Sequence, residues 1–193
     1  MLWFPDLTLA EAEAYYDADL ASLPGLVERL QAWVERTGGP GLDGSVDGLD
    51  PLGEWFSRQL AADEPDGLEG YPVWWVHDPN WKPSPVLTGP QGRLSDRQLR
   101  LVDEVGAYFA QVLQRNVPQL EWVVFRPPKR QRNAAEHRTM LQAPNGLVWD
   151  PVRMVYSMAI GQEIYRRDPE PDTLLRIAEQ IREEATQDGP DRD

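Results

Sequence analysis

The segment from Ser95 to Arg115, SDRQLRLVDEVGAYFAQVLQR, constrains the fold more than any other part of the chain. Ser95 and Gln98 are spaced as a capping box, in which each side chain satisfies a free amide at a helix start. Leu94 before the cap and Leu99 after it fit a hydrophobic staple. Leu99, Val102, Val105, Phe109 and Val112 form one helical stripe, and Leu101, Tyr108 and Leu113 widen it. A stripe that wide predicts a helix at the centre of the core. Asn116-Val117-Pro118 ends it, because the residue before a proline is pushed out of the helical region.

The rest of the chain arranges itself around that helix. Thr8 and Glu11 make a second capping box and predict a helix over 9–20. Ser22 and Pro24 predict a break, and a new helix carrying Leu26, Leu30, Trp33 and Val34 up to Thr37-Gly38-Gly39. Ser45 or Asp50 then caps a helix bearing Leu49, Leu52, Trp55, Phe56 and Leu60, with Pro51 tolerated in its first turn. Strands are predicted at 71–76, 120–126 and 138–142, where β-branched and aromatic residues lie between turn signals, and Leu147 to Trp149 adds a short further strand. Asp150-Pro151 starts a helix to about Arg167. Asp168, Pro169 and Pro171 precede a last one, with Leu174, Ile177, Ala178 and Ile181 inward. Helices, then strands close in sequence, then helices make an α+β fold. A small antiparallel sheet packs against the central helix, with N-terminal and C-terminal helices around it. One domain over 1–186 and a flexible acidic tail over 187–193 are expected.

Charge narrows the function classes. The 193 residues carry a net charge of −13, and residues 35–70 hold nine acids against two bases. Such a field repels phosphate backbones and argues against nucleic-acid binding. It favours a basic protein partner and speeds the encounter, although the same charge also serves solubility. Residues 126–138 run the other way, with Arg126, Lys129, Arg130, Arg132 and Arg138 against Glu136. They suit a solvated hairpin, an anion, or pairing with the acidic N-terminal third of the same chain. There is no cysteine, so thiolate metal sites and a cysteine nucleophile are excluded. No basic leader opens the chain and no apolar run reaches the roughly 20 residues that span a bilayer. A cytoplasmic protein with no membrane segment is expected.

Few residues offer chemistry. The chain has two histidines, His77 beside Asp78 and His137 beside Glu136. Neighbouring side chains on a strand point to opposite faces, so neither pair suits one metal ion, and no metal or other cofactor is expected. The carboxylate pairs Asp63-Glu64, Asp103-Glu104 and Glu183-Glu184 fall on a loop or on helix positions read as solvent-facing, so they are taken as surface charge. The stretch Tyr71 to Pro85 holds Trp74, Trp75 and Trp81 among Pro72, Pro79, Pro83 and Pro85. On a strand, Trp74 and Trp75 face opposite sides, so one belongs to the core, and the other is either covered by the proline-rich loop or exposed beside Trp81 as a stiff aromatic platform. A sugar ring stacked on Trp75 or Trp81 is a weaker reading of the same platform.

Three stretches, LDGSVDGLDPLGEWF (42–56), LSDRQLRLVDEVGAYFAQVLQRN (94–116) and LEWVVFR (120–126), together resemble a pattern of small uncharacterised bacterial α+β domains. Ala110-Gln111 stands where that pattern carries Gly-Glu. Some domains that look similar are immunity or accessory proteins of toxin systems. The resemblance implies a role without catalysis and brings no catalytic residues; together with the charge asymmetry it gives the expectation of a protein that captures a basic, toxin-like partner. The expected contact residues are Asp43, Asp47, Asp50, Glu54, Trp74, Trp75 and Trp81. The alternative is a small hydrolase with His77, Asp78 and His137 in a Trp-lined cleft. Whether the chain is an enzyme stays open at this level.

Overall fold

The computed structural model describes residues 4–62, 94–127 and 133–187. Its centre is α3, Asp96–Asn116, whose Ser95–Gln98 capping box forms as the spacing requires. Every residue from Leu101 to Ala110 is buried, not one stripe alone. The helix is enclosed because α4 (Pro151–Glu163) and α1 (Leu9–Arg36) pack along it, with α2 (Leu49–Ala61) and α5 (Thr173–Thr186) closing the remaining sides.

The N-terminal region forms one helix, not two. The Thr8–Glu11 box starts α1, and the helix then runs through Pro24 without a break. A proline inside a helix costs about 3 kcal/mol, through the missing amide and the ring's clash with the preceding turn. Pro24 lies on the exposed side. Ala12 before it and Leu26, Leu30, Trp33 and Val34 after it are buried, and burying several such side chains outweighs one lost bond.

Neither Ser45 nor Asp50 caps α2. Gly48 holds the cap position without a side-chain bond, and Pro51 sits in the first turn. Ser45 closes the turn before the helix, its Oγ accepting from the Gly48 amide at 3.0 Å. The far end of α2 is tied to the start of α3. Gln98 Nε2 donates to the Leu60 carbonyl at 2.8 Å, and Arg97 donates to the Gln59 carbonyl at 2.6 Å.

The sheet is antiparallel, in the order β1 (Glu121–Val124), β2 (Thr139–Gln142), β3 (Val148–Trp149). Register pairs Trp122 with Leu141 and Val124 with Thr139. The tie between β1 and the helices is polar: Trp122 Nε1 donates to Gln114 on α3 at 3.0 Å, and the Tyr16 hydroxyl on α1 donates to the Trp122 carbonyl at 3.1 Å. The predicted strand at 71–76 lies outside the described residues, as does the tail beyond 187. α4 ends at Glu163, short of Arg167, and α5 begins at Thr173 after Pro169 and Pro171. The fold is α+β, with a small antiparallel sheet among flanking helices. Among the described residues no helix is long and apolar enough to cross a membrane.

Two glycines let the helices close. A Cβ on Gly53 would collide with the Pro171 carbonyl ahead of α5. A Cβ on Gly106 of α3 would lie 2.8 Å from Val152 Cα on α4. On an open helix, glycine to alanine gains up to about 1 kcal/mol. Here the sign reverses, because the neighbour is backbone and cannot swing away. Gly106→Ala is expected to destabilise the protein by about 1–3 kcal/mol, read as a lower urea midpoint with an unchanged slope.

Candidate functional site

The acidic residues singled out from the sequence gather at the start of α2. Its inner face buries Leu49, Leu52, Trp55, Phe56 and Leu60, so Asp50 and Glu54, four residues apart, share the outer face. Asp43, Asp47, Asp50 and Glu54 are all exposed. They do not play equal parts. Asp43 Oδ1 accepts from the Ser45 amide at 2.8 Å, and its bonds with Ser45 hold its carboxyl below the usual range. Glu54 pairs with Arg58 at 2.6 Å. Asp50 lies in the first turn, where the helix dipole favours an acid. Asp47 and Asp50 make no ion pair among the described residues.

Trp74, Trp75, Trp81, His77 and Asp78 lie outside the described residues. His137 ends the turn that leads into β2, with left-handed backbone at φ 67°. Its amide donates to the Phe125 carbonyl at 2.8 Å, and its Nδ1 is buried without a hydrogen bond among the described residues. The basic segment is partly engaged within the chain: Arg126 pairs with Glu13 on α1 at 3.2 Å, and Arg138 with Asp150 at 3.0 Å.

The structure overturns one reading of the sequence outright. Asp103 and Glu104 are not surface charge; they are 9% and 1% exposed. Glu104 accepts from Arg29 Nε on α1 at 3.0 Å. Because α3 is ringed by helices, two consecutive acids are both inside.

Asp103 opens onto a hollow that no motif announced. α1 contributes Tyr15, Asp19 and Leu23, and α3 contributes Asp103 and Gly106. Trp122 comes from β1, Arg138 and Thr139 from the start of β2, and Asp150, Arg153 and Tyr156 from the start of α4. The space between these atoms, open mouth included, is about 650 Å3, but the part that water-sized groups can enter is about 50 Å3. Since roughly 15 Å3 of such space admits one water, the hollow takes a few waters or the end of a chain, not a whole metabolite.

Its two best-defined carboxylates are treated differently. Asp150 caps α4, accepting from the Arg153 amide at 2.9 Å, and also holds Arg138. Burial raises its carboxyl, and the cap bond and Arg138 pull it back. Arg138 in turn lies 5.1 Å from the Phe4 ring centre, and Phe4 meets Tyr15 edge to face at 4.8 Å. Asp19 has no ion pair among the described residues. Burial pushes its carboxyl up to about 6, with the Asp150 charge adding to the rise. The Thr139 hydroxyl lies close enough to favour the ionised form, yet outside hydrogen-bonding geometry, and it has no other partner among the described residues. Such an unmet buried hydroxyl costs about 1–3 kcal/mol. The Tyr15 hydroxyl is held far above its ordinary value by burial and by Asp19, Asp103 and Asp150, so it stays protonated. Among the described residues no three acids or histidines are grouped to hold a metal ion. What the hollow offers is a carboxyl without an ion pair among the described residues that exchanges its proton at about pH 6.

Asp19 had a signal in the sequence. Tyr15, Asp19, Leu23, Leu26 and Leu30 fall on one helical stripe. Taking Pro24 as a break cut that stripe and hid a carboxylate in an inward position.

A raised carboxyl in the folded state means that the buried charge works against folding. Below about pH 4 the group is protonated in both states and costs nothing; above about pH 6 the fold carries the charge. Asp19→Asn is therefore expected to stabilise the protein at pH 7.5 by on the order of 2 kcal/mol. The gain should close as pH falls to 4, measured by thermal melts of both proteins across that range.

No protein-family model matches the chain. No curated protein and no solved structure matches it either.

Proposed function

We propose that this chain is a non-catalytic binding protein that recognises a basic protein partner through its acidic exterior, with neutralisation of a toxin as the concrete form. One observation carries the reading: how the charges are distributed among partners. Arg29, Arg58, Arg126, Arg138 and Arg176 are each paired with an acid of the same chain. Asp47 and Asp50 make no ion pair among the described residues, and both are exposed, Asp47 in the turn before α2 and Asp50 on the same helix face as Glu54. Negative charge is thus presented outward at the start of a well-packed helix. Rigid presentation lowers the ordering cost of binding, and a patch where acids outnumber Arg58 accelerates encounter with the opposite charge. Asp43 is left out of the contact set, because its carboxylate holds the turn at Ser45. A cytoplasmic setting belongs to this proposal, the cysteine-free composition fitting a reducing compartment.

The triple change Asp47→Lys, Asp50→Lys, Glu54→Lys leaves the buried face of α2 intact, so the fold should survive, as circular dichroism would show. Capture from an extract of the native cells, at low and at moderate salt, should yield a basic protein whose binding weakens with salt. With the triple variant, association with that protein should slow by about tenfold or more and lose most of its salt dependence. Equal capture and an equal salt response for the variant would remove the acidic exterior as the contact.

A further inference from the structure

The hollow between α1, α3, β2 and α4 holds one acid, Asp19, that makes no ion pair among the described residues. Asp150 has Arg138 at 3.0 Å and the start of its own helix. Asp19 has neither among the described residues, and burial and the Asp150 charge both raise its carboxyl. Beside it stands Thr139, 9% exposed, its hydroxyl oxygen buried and without a hydrogen bond among the described residues. An acid held inward with no counter-charge among the described residues, next to a hydroxyl oxygen that can accept a hydrogen, meets the requirements of a cationic donor.

The surroundings decide which ligand. A metal ion is disfavoured, since the described acids do not converge as ligands. The lining also holds Arg138 and Arg153, but Arg138 is bound to Asp150, and an anion beside Asp19 would add to a charge that burial already opposes. A neutral donor would leave the Asp19 charge uncompensated. The enterable space of about 50 Å3 admits a small head group and the methylenes next to it. Tyr15, Leu23, Trp122 and Tyr156 line it, and such walls suit an alkyl stem and the face of a ring under a cation.

We propose that this hollow is a binding site for the ammonium end of an alkylamine, with Asp19 as its counter-charge and Thr139 Oγ1 accepting one of its hydrogens. The site uses none of the α2 acids and does not depend on the reading of the acidic exterior. The same chemistry is offered by a free amine and by a lysine side chain of a partner protein.

Binding needs Asp19 ionised. The groups facing it are Tyr15 on its own helix, Asp103 on α3, Arg138 and Thr139 at β2, and Asp150, Arg153 and Tyr156 at α4. Of the carboxyls raised here, that of Asp150 is held by Arg138 and the cap, while that of Asp19 titrates at about 6. Affinity is expected to fall as pH drops below that value.

The test is amide NMR titration of the full chain at pH 7.5 with n-butylammonium, with Nα-acetyl-lysine methylamide, and with butyrate as the anionic control. Either amine should produce saturable shifts confined to residues around Thr139, Gly106 and Ala107, and butyrate should produce none. Tighter binding of the lysine derivative assigns the site to a partner's side chain; tighter binding of butylammonium assigns it to a free amine. Asp19→Asn, a variant expected to fold more stably than the parent, should weaken binding about tenfold or more. Thr139→Val should weaken it severalfold, and at pH 5 the parent should behave like Asp19→Asn. Absence of saturable shifts with both amines, undiminished binding in Asp19→Asn, or saturation by butyrate would each overturn the proposal.

Discussion

The enclosure of α3 is the constraint from which the rest of the structure follows. A helix buried on every side over Leu101 to Ala110 leaves no solvent face for a polar residue. Any acid it carries must find a partner inside or hold its charge at a cost. Glu104 has Arg29, reaching over from α1. Asp103 sits where α1, α4 and the sheet converge but do not fully meet. The hollow is the gap that remains when rounded elements close around one cylinder. Gly106 sets how nearly they close, since α4 approaches the backbone of α3 at that point.

How much of this could be read from the sequence depended on whether the signal was local. The two capping boxes, at Thr8–Glu11 and Ser95–Gln98, form as their spacing requires. Each is a contract between residues three apart, and tertiary packing reinforces it. The hairpin at Val124 and Thr139 is also local and was legible. Pro24 misled because proline reports the preference of an isolated segment. Leu26, Leu30 and Trp33 on one side and the Thr8 cap on the other decide otherwise. Asp103 and Glu104 misled for a related reason: a helical stripe tells which face is inward only when another face is outward. The site itself was the least legible part, since Asp19, Thr139 and Asp150 come from three elements that only the closed fold brings together.

Negative charge takes two forms in this molecule. At α2 it is exposed, screened by water and salt, and it acts at a distance on whatever approaches. Its energetic cost is small: Asp50 benefits from the helix start, and Glu54 from Arg58. In the hollow it is enclosed, little screened, and it acts only on what enters. The first form suits steering, and the second suits discrimination.

Asp150 and Asp19 show why the second form points to a ligand rather than to architecture. Both are acids turned inward beside the same hollow. Asp150 has a structural task that explains it: it starts α4 and fixes Arg138, which in turn lies over Phe4. Replacing it would loosen a helix end and an ion pair together. Asp19 lies within an uninterrupted helix. It caps nothing, and its charge is opposed by burial and by its neighbour Asp150. An apolar residue there would serve the core better, and a neutral amide would serve it nearly as well. The proposed ammonium site gives this costly residue a task that the packing of the fold does not give it. Destabilising groups of this kind concentrate where proteins bind or react.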